Sequence, residues 1–309
     1  MRIGIFGSGG VGGYFGGRLA QAGEEVVFIA RGDHLQALQA SGLRIESFKG
    51  DLHLPAVQAT SDPAQAGPVD MVLLAVKSWH LAGAIQAMRP MIGEQTGVLS
   101  LGNGVEAPGL LVDTYGTQHA MAGLCLISSF LVGPGHIKHV GIDPVVAIGE
   151  LDNRRSARVE TLRAAFERAG VNISIPADIL AAMWEKFIFI AAMSGVGSIT
   201  RSPAGVFRSL PGARRILEGV IAEIVQVGRK RGVNLPVDVA AKTLAIADSL
   251  PHENQASMVR DILGGKPSEL EAQNGAVVRM GAEAGFDTPF NQFIYDCLLP
   301  QELKARGDF

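Results

Sequence analysis

Apolar residues along this chain change their period once. In the first part come short β-type runs, several of them apolar on consecutive positions: residues 2–6 (RIGIF), 26–30 (VVFIA), 69–76 (VDMVLLAV), 97–101 (GVLSL) and 119–130 (HAMAGLCLISSF). Such runs suit parallel strands covered on both faces. Between them, residues 11–23 and 78–88 carry the amphipathic spacing of helices. Strand and helix alternate, which predicts a doubly wound α/β sheet. Residues 131–150 look like a hairpin turning at Gly133, Pro134 and Gly135. Beyond about residue 176 only helical periodicity remains, over 178–199, 211–232, 236–249, 255–263, 268–284 and 289–299. The expected organisation is an α/β domain over 1–175 followed by an all-helical domain over 176–309.

Composition narrows the function classes. The 309 residues are 47% apolar and 18% charged, enough to build two cores and unlike a disordered chain. A net charge of −3 speaks against a nucleic-acid partner, which would call for a basic face. The N-terminus enters a strand at once, without the order of a signal peptide, and the apolar runs read as too short for a bilayer. A cytoplasmic protein with no membrane partner is expected, and a homodimer is compatible with the sequence. Cys125 and Cys297 lie far apart and read as buried thiols. His136 and His139 lack a third ligand, so no metal is expected.

The first strand runs into 7-GSGGVG-12. Gly7 permits the tight turn, Gly9 lets backbone approach a pyrophosphate, and Gly12 lets the new helix pack on the sheet. Amide N–H groups of Ser8, Gly10 and Val11 complete the anion cradle at the helix start. This turn predicts a dinucleotide site. The second strand ends in Arg31, whose guanidinium suits a 2′-phosphate, although Asp33 stands nearby. NADPH is therefore the expected cofactor. Lys77 and Asn103 lie where two further strands stop, at the sheet end where ligands of open α/β sheets bind.

In the helical part, Lys186 heads the oily stretch 187-FIFIAAM-193. It is either a lysine snorkelling from a buried helix or a proton donor beside an apolar wall. Further on, Ser268 and Glu271 have capping-box spacing, which leaves Glu269 without a structural duty beyond favouring the helix dipole. Asn274-Gly275 inside a helix suggests close approach by another helix or a ligand. Asn254 and Ser257 precede a short helical run.

Taken together, 7-GSGGVG-12, 30-AR-31, 75-AVKSW-79, 102-GNG-104, 184-WEKF-187, 257-SMVRDI-262 and 268-SELEAQNG-275 resemble the ketopantoate reductase (2-dehydropantoate 2-reductase) family over essentially the whole chain. The resemblance implies an N-terminal Rossmann domain and a helical domain similar to that of 6-phosphogluconate dehydrogenase. It also implies NADPH-dependent reduction of 2-dehydropantoate to (R)-pantoate, on the route to pantothenate. By position, Lys186 matches the catalytic lysine and Glu269 the glutamate that binds substrate at the reacting centre. Asn254 and Ser257 match substrate-holding residues, Arg31 the 2′-phosphate ligand, and Lys77 and Asn103 cleft residues. Many members carry asparagines four and eight residues after the lysine, where this chain has Ile190 and Ser194. A different branched 2-oxo acid, or a non-catalytic NADPH sensor, are the alternatives.

Overall fold

The computed structural model describes residues 1–308, which form two compact units. The first takes Met1–Gly102 and Glu106–Ile179; the second takes Asn103–Val105 and the chain from Leu180 onward.

Unit one contains twelve strands: β1 (Arg2–Phe6), β2 (Glu25–Ile29), β3 (Leu43–Ser47), β4 (Leu52–Leu54), β5 (Gln58–Thr60), β6 (Val69–Leu74), β7 (Ile92–Ser100), β8 (Ala120–Leu126), β9 (Ser129–Gly133), β10 (His136–His139), β11 (Val145–Glu150) and β12 (Asn172–Ser174). Eight form one sheet in the order β12-β11-β8-β7-β6-β1-β2-β5. All its neighbours are parallel except β8 and β11. The winding reverses between β1 and β6, as in a Rossmann-type sheet. Consecutive apolar residues serve two cores through the period-two alternation of a strand. Ile3, Ile5, Met71 and Leu73 join Phe15, Leu19 and Phe166 on one face. Phe6, Val72 and Leu74 join Ile85, Met88 and Leu111 on the other.

Two departures from the sequence pattern matter. The run 119–130 divides: β8 stays in the main sheet, whereas β9 joins a second sheet of order β4-β3-β10-β9. The expected 131–150 hairpin is likewise two things. β9 and β10 form the hairpin, and β11 returns to the main sheet beside β8 because its apolar residues need burial on both faces. Strands β3 and β4 lie outside the apolar runs of the sequence: β4 has only three residues, and in β3 exposed Arg44 separates the fully buried Leu43 and Ile45.

Unit two is helical: Ile179–Thr200, Ala204–Phe207, Pro211–Lys230, Val239–Ser249, Ser257–Leu263, Ala276–Glu283 and Pro289–Arg306. A single π turn, Glu271–Gly275, precedes Ala276–Glu283. Helix Ile179–Thr200 is long and apolar enough to cross a membrane by length and composition, contrary to the sequence expectation. Yet 67% of its apolar window is buried inside the protein, the signature of a core helix. Its small residues let neighbours approach. A Cβ on Gly195 would stand 2.8 Å from the Asn274 amide, and one on Gly197 would stand 2.9 Å from Val259.

Both cysteines are thiols outside any disulfide, but Cys297 is exposed, so only Cys125 fits the expected buried thiol. His139 is buried, not a surface residue. It lies between Tyr14 and Phe48, with its ring nitrogens 2.8 Å from Ser47 Oγ and 2.9 Å from the Ile142 carbonyl.

Glu150, at the end of β11, is buried and held by a bidentate fork: Arg158 Nε donates to Oε1 at 2.7 Å and Nη2 to Oε2 at 2.6 Å. Burial pushes this carboxyl up, but the hydrogen bonds from Arg158 and Ser156 outweigh it and hold it below the ordinary carboxylate range. Its stabilising contribution is thus present above the ordinary carboxylate value and is lost as pH falls through the lowered folded one. Removing one partner of a buried pair leaves an uncompensated charge. Arg158→Ala is therefore expected to lower stability by about 3 kcal/mol in urea unfolding at neutral pH. The deficit relative to wild type is expected to shrink on acidification, once Glu150 is protonated.

Candidate active site and cofactor turn

The glycine turn lies in unit one at the carboxyl end of β1. Gly7 has φ +98°, and a Cβ there would stand 2.8–2.9 Å from Val76 and the Ala75 backbone at the end of β6. A Cβ on Gly12 would come within 2.1 Å of the Gly7 carbonyl. These two glycines let the helix Gly10–Gln21 press onto the sheet. Gly9 differs, since nothing lies within 4 Å of a Cβ built there. It is the N-cap of that helix in extended conformation, with no side chain capping the first turn. Backbone donors of the first turn thus remain for an anion, and open space beside Gly9 would admit one. The turn fits a dinucleotide pyrophosphate.

The other residues named for the cofactor are placed as follows. The Ser8 hydroxyl donates to the Ile29 carbonyl at 2.9 Å, so only its backbone faces elsewhere. Gly10 abuts the Ser129 carbonyl of β9, and Val11 is half-buried behind it. Arg31 is exposed at the N-cap of helix Gly32–Ser41, just past β2. Lys77 is exposed beyond the end of β6, its ammonium 5.6 Å from the Trp79 ring centre.

Three of the predicted residues meet in unit two. Lys186 Nζ donates to Asn103 Oδ1 at 3.0 Å, and Asn103 Nδ2 donates to Glu269 Oε2 at 2.8 Å. An ammonium can only donate and a carboxylate only accepts, so the amide has one orientation. Lys186, on helix Ile179–Thr200, is half-buried and gives one of its three N–H donors to Asn103. Glu269 is only 5% exposed, and its Oε2 is satisfied by that amide contact. Ile190 is half-buried and Ser194 fully buried, its hydroxyl without a hydrogen-bond partner among the described residues.

Glu269 is positioned from behind. The Ser268 N–H lies 3.0 Å from both oxygens of buried Glu302, and the Ser268 hydroxyl donates to Oε2 at 2.5 Å. The capping box expected from Ser268 and Glu271 does not form, because Glu302 takes the serine. Glu271 instead accepts from the Tyr295 hydroxyl at 2.6 Å and pairs with Arg279. Burial first, then the Glu271 contact, pushes the Tyr295 hydroxyl up to about 12. Glu302 has no local signal in the sequence, since it acts 34 residues from its partner. Gly275, inside the π turn, meets the close approach expected of it: a Cβ would stand 2.8 Å from the Tyr295 ring.

Asn254 and Ser257 are not joined to this trio by any hydrogen bond among the described residues. Asn254 is exposed, its carbonyl accepting from the Ala204 N–H at 2.9 Å, and Ser257 is the half-buried first residue of its helix. Among the described residues no group of histidine, cysteine, aspartate and glutamate could hold a metal ion.

Residues 3–153 match the family model for ketopantoate reductase PanE/ApbA, and residues 178–302 the model for its C-terminal region. The chain belongs to the ketopantoate reductase family. It is 35% identical to a PanE/ApbA family ketopantoate reductase of Ralstonia eutropha JMP134, whose crystal structure superposes with a TM-score of 0.90 over 99% of this chain and 100% of that one. It is 28% identical over 304 residues to the uncharacterized oxidoreductase YkpB of Bacillus subtilis (strain 168), spanning 98% of this chain and 100% of that protein. To the 2-dehydropantoate 2-reductase of Mesorhizobium japonicum it is 28% identical over 310 residues, 94% of each. The protein is thus an oxidoreductase of the ketopantoate reductase family.

Proposed function

We propose that the protein reduces 2-dehydropantoate to (R)-pantoate with NADPH, in the cytoplasm, on the route to pantothenate. The observation that carries this reading is the chain of contacts from Lys186 through Asn103 to Glu269. Reduction of a 2-oxo acid adds a hydride to the C2 carbon and a proton to its oxygen. Bound NADPH supplies the hydride. The Lys186 ammonium donates to the carbonyl oxygen, stabilises the charge that develops there, and then gives up a proton to it. Asn103 holds the ammonium in place and keeps it apart from the Glu269 carboxylate. Glu269 accepts from the substrate hydroxyl, while Ser257 and Asn254 bind the hydroxyl or carboxylate. The backbone of Gly7 to Gly12 holds the pyrophosphate, Arg31 the 2′-phosphate, and Lys77 and Asn103 complete the cofactor contacts.

Ile190 favours a second reading on the same chemistry. One turn past Lys186, this half-buried position offers hydrocarbon and no hydrogen bond. A pocket with that side chain suits a branched 2-oxo acid less polar than 2-dehydropantoate.

Three outcomes test these assignments. Lys186→Ala is expected to cut turnover by roughly 100-fold or more, the scale of a lost general acid, with NADPH affinity near wild type by calorimetry; normal turnover would remove Lys186 from the chemistry. Arg31→Asp is expected to weaken NADPH far more than NADH, and equal losses would refute its phosphate contact. In an NADPH-oxidation panel of 2-oxo acids, the highest kcat/KM is expected with 2-dehydropantoate. A clear preference for a less polar branched acid would establish the second reading, and no oxidation with any acid would leave a cofactor-binding protein without turnover.

A further inference from the structure

The six residues of the glycine turn include four glycines, so its peptide planes are free to rotate unless something holds them. One side chain does so. His34, in the first turn of helix Gly32–Ser41, places Nε2 2.8 Å from the Ser8 carbonyl oxygen. Its other nitrogen, Nδ1, receives the Gly135 N–H at 3.0 Å. A nitrogen that accepts an N–H carries no proton of its own, so the ring is the neutral tautomer with its proton on Nε2, donating to Ser8. Burial pushes the imidazole below its ordinary value, against a smaller opposite pull from the Ser8 carbonyl, in keeping with a neutral ring.

Both ends of this strut are anchored. Gly135 closes the β9–β10 hairpin with φ +69°, and its carbonyl accepts from the Arg44 N–H of β3 at 2.8 Å. Ser8 is fixed a second time through its hydroxyl on Ile29 at the end of β2. The Ser8–Gly9 peptide is trans, like every other peptide bond described. In a trans peptide the C=O and the following N–H point in opposite directions. Holding the Ser8 carbonyl at His34 therefore turns the Gly9 N–H away from His34, and the place a Cβ on Gly9 would take is open.

We propose that His34 is a positioning residue for the cofactor: by holding the Ser8 carbonyl it pre-aims the Gly9 N–H at the pyrophosphate. This rests on the reading of residues 7–12 as a dinucleotide turn. His34 touches neither the 2′-phosphate nor the substrate in this role, so its loss acts on NADPH and NADH alike. Arg31, in contrast, distinguishes the two. Pre-aiming lowers the ordering cost of binding, so the effect falls on affinity more than on turnover.

The test uses the full chain with His34→Leu, which loses both hydrogen bonds, and His34→Gln, whose amide offers one donor and one acceptor. NADPH and NADH affinities are measured by calorimetry. KM and kcat are measured with each cofactor, and thermal unfolding reports folding of each variant. The expected result is a loss of about tenfold for both cofactors in H34L, the scale of one hydrogen bond. A KM for cofactor that rises more than kcat falls, and recovery of most of the affinity in H34Q, are expected with it. Wild-type affinity in folded H34L would overturn the role, as would a loss that H34Q does not recover or one confined to NADPH. A wild-type protein that binds neither dinucleotide would sink the reading of the turn itself, an outcome visible before any variant is made.

Discussion

An amide set between an ammonium and a carboxylate is locked by what its neighbours can do. Asn103 has to turn its oxygen to Lys186 and its nitrogen to Glu269, because the reverse arrangement would face donor with donor and acceptor with acceptor. The amide keeps two opposite charges near each other without letting them meet in a direct ion pair. A direct pair would spend the lysine's donors on the glutamate. With the amide between them, both groups retain hydrogen-bonding capacity. Other parts of unit two support this spacing. Glu302 clamps Ser268 behind Glu269, and helix Ile179–Thr200 is buried firmly enough to fix where Lys186 emerges.

The glycine turn shows the same economy in backbone. Gly7 and Gly12 are there because a Cβ would collide with strand ends or with the turn's own carbonyl, whereas Gly9 leaves space that nothing fills. One motif thus contains glycines of two kinds. The first kind allows packing; the second allows approach.

Much of this could be read from residues alone, for physical reasons. Strands such as those at 3–6 and 71–74 are buried on both faces, so these stretches carry no charge and are easily seen. The helices of unit two are long enough for period to declare itself. Lys186 stood out because a charge at the head of an oily stretch requires an explanation, and Glu269 because its neighbours could be given other tasks. What escaped was non-local or brief. β4 is only three residues long, β3 alternates with charged residues and forms no apolar run, and the break at Ile127-Ser128 that sends β9 to another sheet is hidden within one apolar run. The capping box failed because a carboxylate 34 residues away reaches Ser268 first, and spacing rules see only near neighbours. Asn103 could be placed at a strand end, but its partners lie 83 and 166 residues along the chain.

The brief excursion of residues 103–105 into the helical unit has a consequence for how such a protein can be assembled over evolution. Cutting the gene at the obvious border near residue 180 would yield a helical fragment bearing Lys186 and Glu269 but lacking the side chain that spaces them. The helical half is therefore not a portable cassette: transplanted behind a foreign α/β half, it would bring its lysine and its carboxylate yet depend on the new host to lend an asparagine from its own loop.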